Sequence, residues 1–127
     1  MKTPTIPQIA IVTSVRYQAE ESDEEHARFI FSYTITIHNH GNIAAKLLRR
    51  HWIITDSNHR VQEVHGDGVV GEQPLILPGR RFEYSSGTLL TTPVGTMRGY
   101  YTLRTDDGSE FDVAIPEFVL SIPRVLH

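Results

Sequence analysis

No cysteine occurs among the 127 residues of this chain, so disulfide frameworks, thiolate metal sites and cysteine nucleophiles are excluded from the outset. A basic excess is missing too: 12 lysines and arginines stand against 15 aspartates and glutamates, a formal net charge of −3 at pH 7. Neutralising a phosphate backbone needs the opposite balance, which argues against nucleic acid as a partner. No run approaches the about 18 consecutive apolar residues of a membrane-spanning helix. The opening Met1-Lys2-Thr3-Pro4-Thr5-Ile6-Pro7 is interrupted by proline where a secretory signal needs an apolar stretch. The expectation is a cytoplasmic protein that engages neither membrane nor nucleic acid. Helical periodicity is also lacking, since proline or glycine breaks every ten-residue segment that begins to show it; Ala44 to Arg50 is the one tempting exception.

What the chain does have is alternation with a period of two. It is clearest at Phe29, Phe31, Tyr33, Ile35 and Ile37, with mostly polar residues between them, which is a strand with one face in a core. Ile9, Ile11, Thr13, Val15 and Tyr17 give an earlier strand, expected to pair with it as a hairpin across the acidic, solvated stretch Glu20 to Glu25. A third strand, about Ala45 to Asp56, sets Leu48, Trp52 and Ile54 on one side and Leu47, Arg49, His51 and Ile53 on the other, and ends at the turn Asp56-Ser57-Asn58. Arg60 to Val64 returns as a fourth. Phe82 to Leu89 suggests a fifth, Met97 to Thr105 a sixth, and Phe111 to Ile115 a seventh across Asp106-Asp107-Gly108; Phe118, Leu120 and Ile122 either extend the seventh past Pro116 or form an eighth. The length suits a single domain, residues 1–127, that buries about two-thirds of its unfolded surface. The fold expected is all-β, an immunoglobulin or fibronectin type III-like β-sandwich of seven to eight antiparallel strands, with Trp52 between the sheets.

Gly66-Asp67-Gly68-Val69-Val70-Gly71 reads G-x-G-x-x-G, the spacing of a dinucleotide fingerprint. Such a loop must open a helix whose N-terminal amides hold the pyrophosphate, and here Glu72-Gln73-Pro74-Leu75-Ile76-Leu77-Pro78-Gly79 leaves no room for one. The loop therefore belongs to a β scaffold. The block from His51-Trp52-Ile53-Ile54-Thr55-Asp56 through this loop, Pro78-Gly79, Phe82-Glu83-Tyr84-Ser85-Ser86-Gly87, Gly95-Thr96-Met97-Arg98-Gly99-Tyr100-Tyr101 and Ile115-Pro116-Glu117-Phe118 resembles the bacterial ApaG family over nearly the whole chain. The resemblance implies a fibronectin type III-like sandwich and a small cytosolic protein. It also implies a gene near that of a diadenosine tetraphosphatase and an association with cobalt tolerance and magnesium efflux. Similar domains occur in eukaryotic F-box proteins and in a protein that interacts with DNA polymerase delta, where they look like interaction modules. The family brings no established catalytic residues to transfer.

Two readings of the glycine loop stay open. In one, the amides of Gly66, Gly68 and Gly71 form a nest for a phosphate or pyrophosphate, with Arg80 and Arg81 adding charge. In the other, the simpler of the two, the glycines supply positive φ and close backbone approach where the chain crosses between sheets. Among seven histidines, His38-Asn39-His40 has the spacing for two ligands on one strand face, but a turn at Asn39 to Asn42 breaks that alignment and no third ligand is spaced to join them. His51, His59 and His65 look scattered over other elements. Ser85 and Ser86 sit in no G-x-S-x-G elbow. No catalytic residue, metal site or cofactor is assigned. The function expected is a non-enzymatic module that binds a protein partner, or a second copy as a homodimer through an edge strand. The alternative is a small-ligand protein holding a nucleotide polyphosphate at the Gly66 to Gly71 loop.

Overall fold

A computed structural model describes residues 8–123. Eight strands run in the order β1 (Ile9–Tyr17), β2 (Phe29–Asn39), β3 (Ala45–Asp56), β4 (Val61–Asp67), β5 (Leu75–Ile76), β6 (Arg81–Leu90), β7 (Val94–Thr105) and β8 (Glu110–Ser121), with a single 3-10 turn at Glu24–His26. They form two antiparallel sheets, β1-β2-β6 and β4-β3-β7-β8, with β5 added to β3. The sequence pattern explains the layering. On β2 every second residue from Phe29 to Asn39 is buried, so this central strand presents one complete face to the opposite sheet. The core between the layers holds Phe31, Ile35, Ile37, Leu47, Trp52, Met97, Tyr101, Leu103 and Leu120, all essentially without solvent contact. Among the described residues no helix is long and apolar enough to cross a membrane.

Two expectations change. Leu47 and Leu48 were placed on opposite faces, yet both are buried, because the β3–β7 register shifts between Leu47 and Arg49. That bulge inserts one residue, so Leu48, Arg50, Trp52 and Ile54 face inward after it while Ala45 and Leu47 do so before it. Ala45 to Arg50, the part of the chain with a trace of helical pattern, is strand, as the expected third strand requires. β8 continues past Pro116, one of the two readings left open above, and the register with β7 shifts there: Pro116 and Glu117 stand opposite Arg98 alone, a bulge that accommodates the proline. The eighth strand is instead the short β5, within the proline-flanked segment read as loop.

Two tyrosine rings meet Trp52 in the core, and a third, Tyr84, meets Tyr101. Tyr33 and Tyr101 pack edge-on to the indole, and the Tyr84 and Tyr101 hydroxyls are hydrogen-bonded to each other. Burial pushes the hydroxyls of Tyr33, Tyr84 and Tyr101 above the ordinary tyrosine range, with the Arg50 charge pulling weakly the other way. A phenol whose folded-state pKa is raised ionises first in the unfolded chain. The stability these rings contribute is therefore intact below about pH 10 and lost as the pH rises above it, by up to about 1.4 kcal/mol per pH unit for each ring. Denaturant midpoints measured from about pH 9 to pH 11 should fall steeply, and Tyr84→Phe/Tyr101→Phe should flatten that fall. An identical slope in the double variant would show that these hydroxyls are not the groups involved.

Candidate functional site

The glycine loop is a tight hairpin. The N–H of Gly68 donates to the Leu48 carbonyl at the bulge (2.7 Å), and Val69 and Glu72 exchange both N–H···O bonds (2.8 and 2.9 Å). Val70 and Gly71 lie between them at φ +43° and +81°, the two left-handed positions of a type I′ turn. A Cβ on Gly68 would sit 2.1 Å from the Glu72 carbonyl oxygen, so glycine is required there. Within Gly68 to Glu72 the amides of Val70 and Gly71 alone have no backbone acceptor. The side chain of Val69 is fully buried and anchors the hairpin to the core.

The arginine beside this loop is Arg50. It is the cross-strand partner of Gly66, and its Nη1 donates to the carbonyls of Asp67 (3.2 Å) and Gly68 (3.0 Å). A Cβ on Gly66 would stand 2.5 Å from that nitrogen, so this glycine makes room for the guanidinium. Arg80 and Arg81 are exposed at the start of β6 in the other sheet, where Arg81 pairs with His38; among the described residues no hydrogen bond or ion pair joins either side chain to the loop. The structure thus sets Arg50 against Gly66 and Gly68, with Gly71 at the turn of the same hairpin, and leaves Arg80 and Arg81 at the start of β6.

Beyond the loop, Gln73 Nε2 donates to the Leu48 carbonyl (2.9 Å), the Leu47 N–H donates to the Pro74 carbonyl (2.9 Å), and Leu75 and Ile76 pair with Lys46 and Ala45. Ile76 is buried. Three outward side chains of this tethered segment are apolar, Val70, Leu75 and Leu77 at 57%, 55% and 50% exposed, with the polar Glu72 and Gln73 exposed between them.

On the outer face of the larger sheet the histidines are not scattered. His65 of β4, His51 of β3 and Tyr100 of β7 form one row across three strands, each the cross-strand partner of the next. The His51 ring stacks on Tyr100 with centroids 4.8 Å apart and meets His65 edge-on at 4.0 Å. Glu63, two residues before His65 and so on the same face, places Oε2 3.5 Å from His51 Nε2 and 3.6 Å from His65 Nε2. The row borders a cleft of about 330 Å³ that also touches Arg49, Arg50, Asp67 and Thr102. Arg49 is turned away, its Nη2 donating to Glu110 Oε1 at 2.7 Å. The His38 and His40 rings also come together, 4.1 Å between centroids, so the turn does not separate them as the sequence suggested. Among the described residues, however, only His51, Glu63 and His65 form a group of three ligand-bearing side chains.

The register that builds this row was available in the sequence. His51 and His65 each lie seven residues from Asn58, midway between the expected strand ends Asp56 and Arg60, so folding the hairpin about Asn58 sets one opposite the other, and likewise Arg50 opposite Gly66.

Comparison with known proteins agrees with this architecture. The family model described as the ApaG domain matches residues 19–105. The chain is 58% identical over 120 residues to the protein ApaG of Thiobacillus denitrificans, covering 94% of each. It is 54% identical over 120 residues to the protein ApaG of Pseudomonas aeruginosa, covering 94% of this chain and 95% of that one. A crystal structure of a Bordetella pertussis protein described as ApaA superposes with a TM-score of 0.92 at 47% identity, covering 95% of this chain and 98% of that one.

Proposed function

The chain belongs to the ApaG domain family, and for this member we propose a non-enzymatic cytoplasmic module that binds a protein partner through the Val70 to Leu77 segment. One observation carries the reading. Three of the nine large apolar side chains left exposed among the described residues lie on this one segment, whose backbone is held in place from Gly68 to Ile76. Single exposed apolar residues are ordinary, but several on a rigid display segment fit a docking site that pays little ordering entropy on binding. Val70 strengthens the case. A β-branched residue at positive φ costs about 1–3 kcal/mol, and asparagine or glycine would fill the turn without that strain.

The test follows from that strain. Val70→Asn should raise the melting temperature, because it relieves the backbone, and should still lower the amount of partner recovered by affinity capture from a lysate of the native organism. Adding Leu75→Asp and Leu77→Asp should abolish recovery while the far-ultraviolet circular dichroism stays that of the parent. Capture of the same proteins in the same yield by the triple variant would remove this segment from the binding surface.

A further inference from the structure

We propose that His51, Glu63 and His65 form a binding site for one divalent first-row transition ion, of the Zn²⁺ or Cu²⁺ class, on the outer face of the larger sheet. The three ligand atoms already lie within 4.8 Å of one another. An ion bound at about 2.0–2.1 Å to imidazole nitrogen and carboxylate oxygen, in tetrahedral geometry, holds its ligand atoms about 3.4 Å apart. Glu63 Oε2 stands 3.5 Å and 3.6 Å from the two Nε2 atoms, so small side-chain rotations close the set around an ion.

The surroundings fit the same assignment. The Tyr100 hydroxyl lies 3.3 Å from His51 Nδ1; with Nδ1–H donating to it, the Nε2 lone pair is directed to the side where Glu63 stands. A fixed tautomer of this kind is what an outer-shell partner provides to a ligating histidine. His51 is the immobile member, its side chain 15% exposed, while Glu63 and His65, at 52% and 66%, are free to adjust. Asp67, on the β4 face that carries Glu63 and His65, adds a second negative charge, and the nearby positive charge of Arg49 is taken up by Glu110. Two imidazoles and one carboxylate select zinc, copper or nickel over magnesium and calcium, which prefer all-oxygen shells. Three protein ligands leave the fourth position to water.

The experiment is calorimetric titration of the untagged, full-length protein with zinc chloride, repeated with copper while following histidine resonances for paramagnetic broadening. One ion per chain is expected, with broadening confined to the His51 and His65 rings. His65→Gln and Glu63→Gln should each weaken binding at least about tenfold, and Tyr100→Phe, which leaves all three ligands, by up to about tenfold. His38→Gln/His40→Gln should leave the affinity unchanged, which separates this site from the other histidine pair. Since His65 and Glu63 are largely exposed, their variants test the site without disturbing the core. The proposal is overturned by the absence of saturable heat up to millimolar zinc, by undiminished binding in His51→Gln/His65→Gln, or by binding that disappears only with His38 and His40.

Discussion

Trp52→Ala should lose about 3–5 kcal/mol of stability, a large part of the 5–15 kcal/mol that holds a domain of this size together. The reason lies in the position of the ring. Trp52 is 2% exposed and meets Tyr33, Tyr101 and Phe118 edge-on, at centroid distances of 5.4, 6.2 and 6.0 Å. Tyr33 comes from the smaller sheet, Tyr101 and Phe118 from β7 and β8 of its own, so the indole is the piece that joins the layers. Removing it leaves a void that rigid strands on both sides cannot close, and the cost rises with the volume left empty. Collapse is harder still because Gly99, the cross-strand partner of Trp52, already approaches β3 so closely that a Cβ there would stand 2.0 Å from the His51 carbonyl oxygen.

The nature of the substitution sharpens this expectation. The indole Nε1–H is buried and, although the Tyr84 hydroxyl feels it, among the described residues no acceptor meets it in hydrogen-bonding geometry. An unsatisfied buried donor costs about 1–3 kcal/mol, so Trp52→Phe removes a liability together with part of the packing. Its net loss should be clearly smaller than that of Trp52→Ala. Urea unfolding followed by circular dichroism compares all three proteins, and the single tryptophan gives the parent an independent fluorescence signal from the same site. Equal losses for alanine and phenylalanine would mean that ring volume does not govern this position and that the indole N–H makes a hydrogen bond whose loss both variants share.

Much of this architecture was legible in the sequence, and the parts that were not share a cause. β2 could be read because one face is wholly core, so period-two burial is written into Phe29, Phe31, Tyr33, Ile35 and Ile37. Trp52 was placed correctly by the same alternation. The Leu47–Leu48 bulge was invisible because a one-residue insertion is set by the partner strand, and local pattern cannot report it. β5 was missed for a similar reason: two residues between Pro74 and Pro78 carry no periodicity, and their pairing with Ala45 and Lys46 is purely tertiary. The histidine row stands between these cases. Its residue types were noticed, and its register followed from the turn at Asn58, but alternation within single strands never asks which residues face each other across two. Arg80 and Arg81 show the opposite hazard: they are near the glycine loop in the chain, yet they lead into β6 of the other sheet.

Asn39→Asp, nearly isosteric, should cost about 3–5 kcal/mol near neutral pH and distinctly less in acid. Asn39 closes β2 with no solvent exposure at all. Its Nδ2 donates to the carbonyls of Ile43 and Ile76, both at 2.9 Å, and its Oδ1 accepts from the Gly41 N–H at 2.9 Å. Its backbone is bound as well, the N–H to the Arg80 carbonyl (2.9 Å) and the carbonyl to the Gly79 N–H (2.8 Å). One side chain thereby ties the end of β2 to β5 and to the connection that leads into β6. An aspartate would turn both donors into a carboxylate oxygen facing two carbonyl oxygens, a buried charge with repulsion in place of hydrogen bonds. Protonation relieves part of this, because the acid O–H can satisfy one of the two carbonyls. The folded-state pKa of the new carboxyl must therefore rise above its unfolded value of about 3.9. The stability linked to the protonated form is present below that value and is lost as the pH rises through the raised folded-state pKa, so the deficit against the parent grows towards neutrality. Asn39→Ala removes the same side-chain hydrogen bonds without introducing a charge, and its deficit should not change with pH over this range. Urea midpoints for the parent and both variants at about pH 4.5 and pH 7.5 distinguish the two behaviours. An Asn39→Asp deficit that stayed constant between them would mean that the carboxyl finds water or a cation, and that the end of β2 is less tightly closed than its hydrogen bonds require.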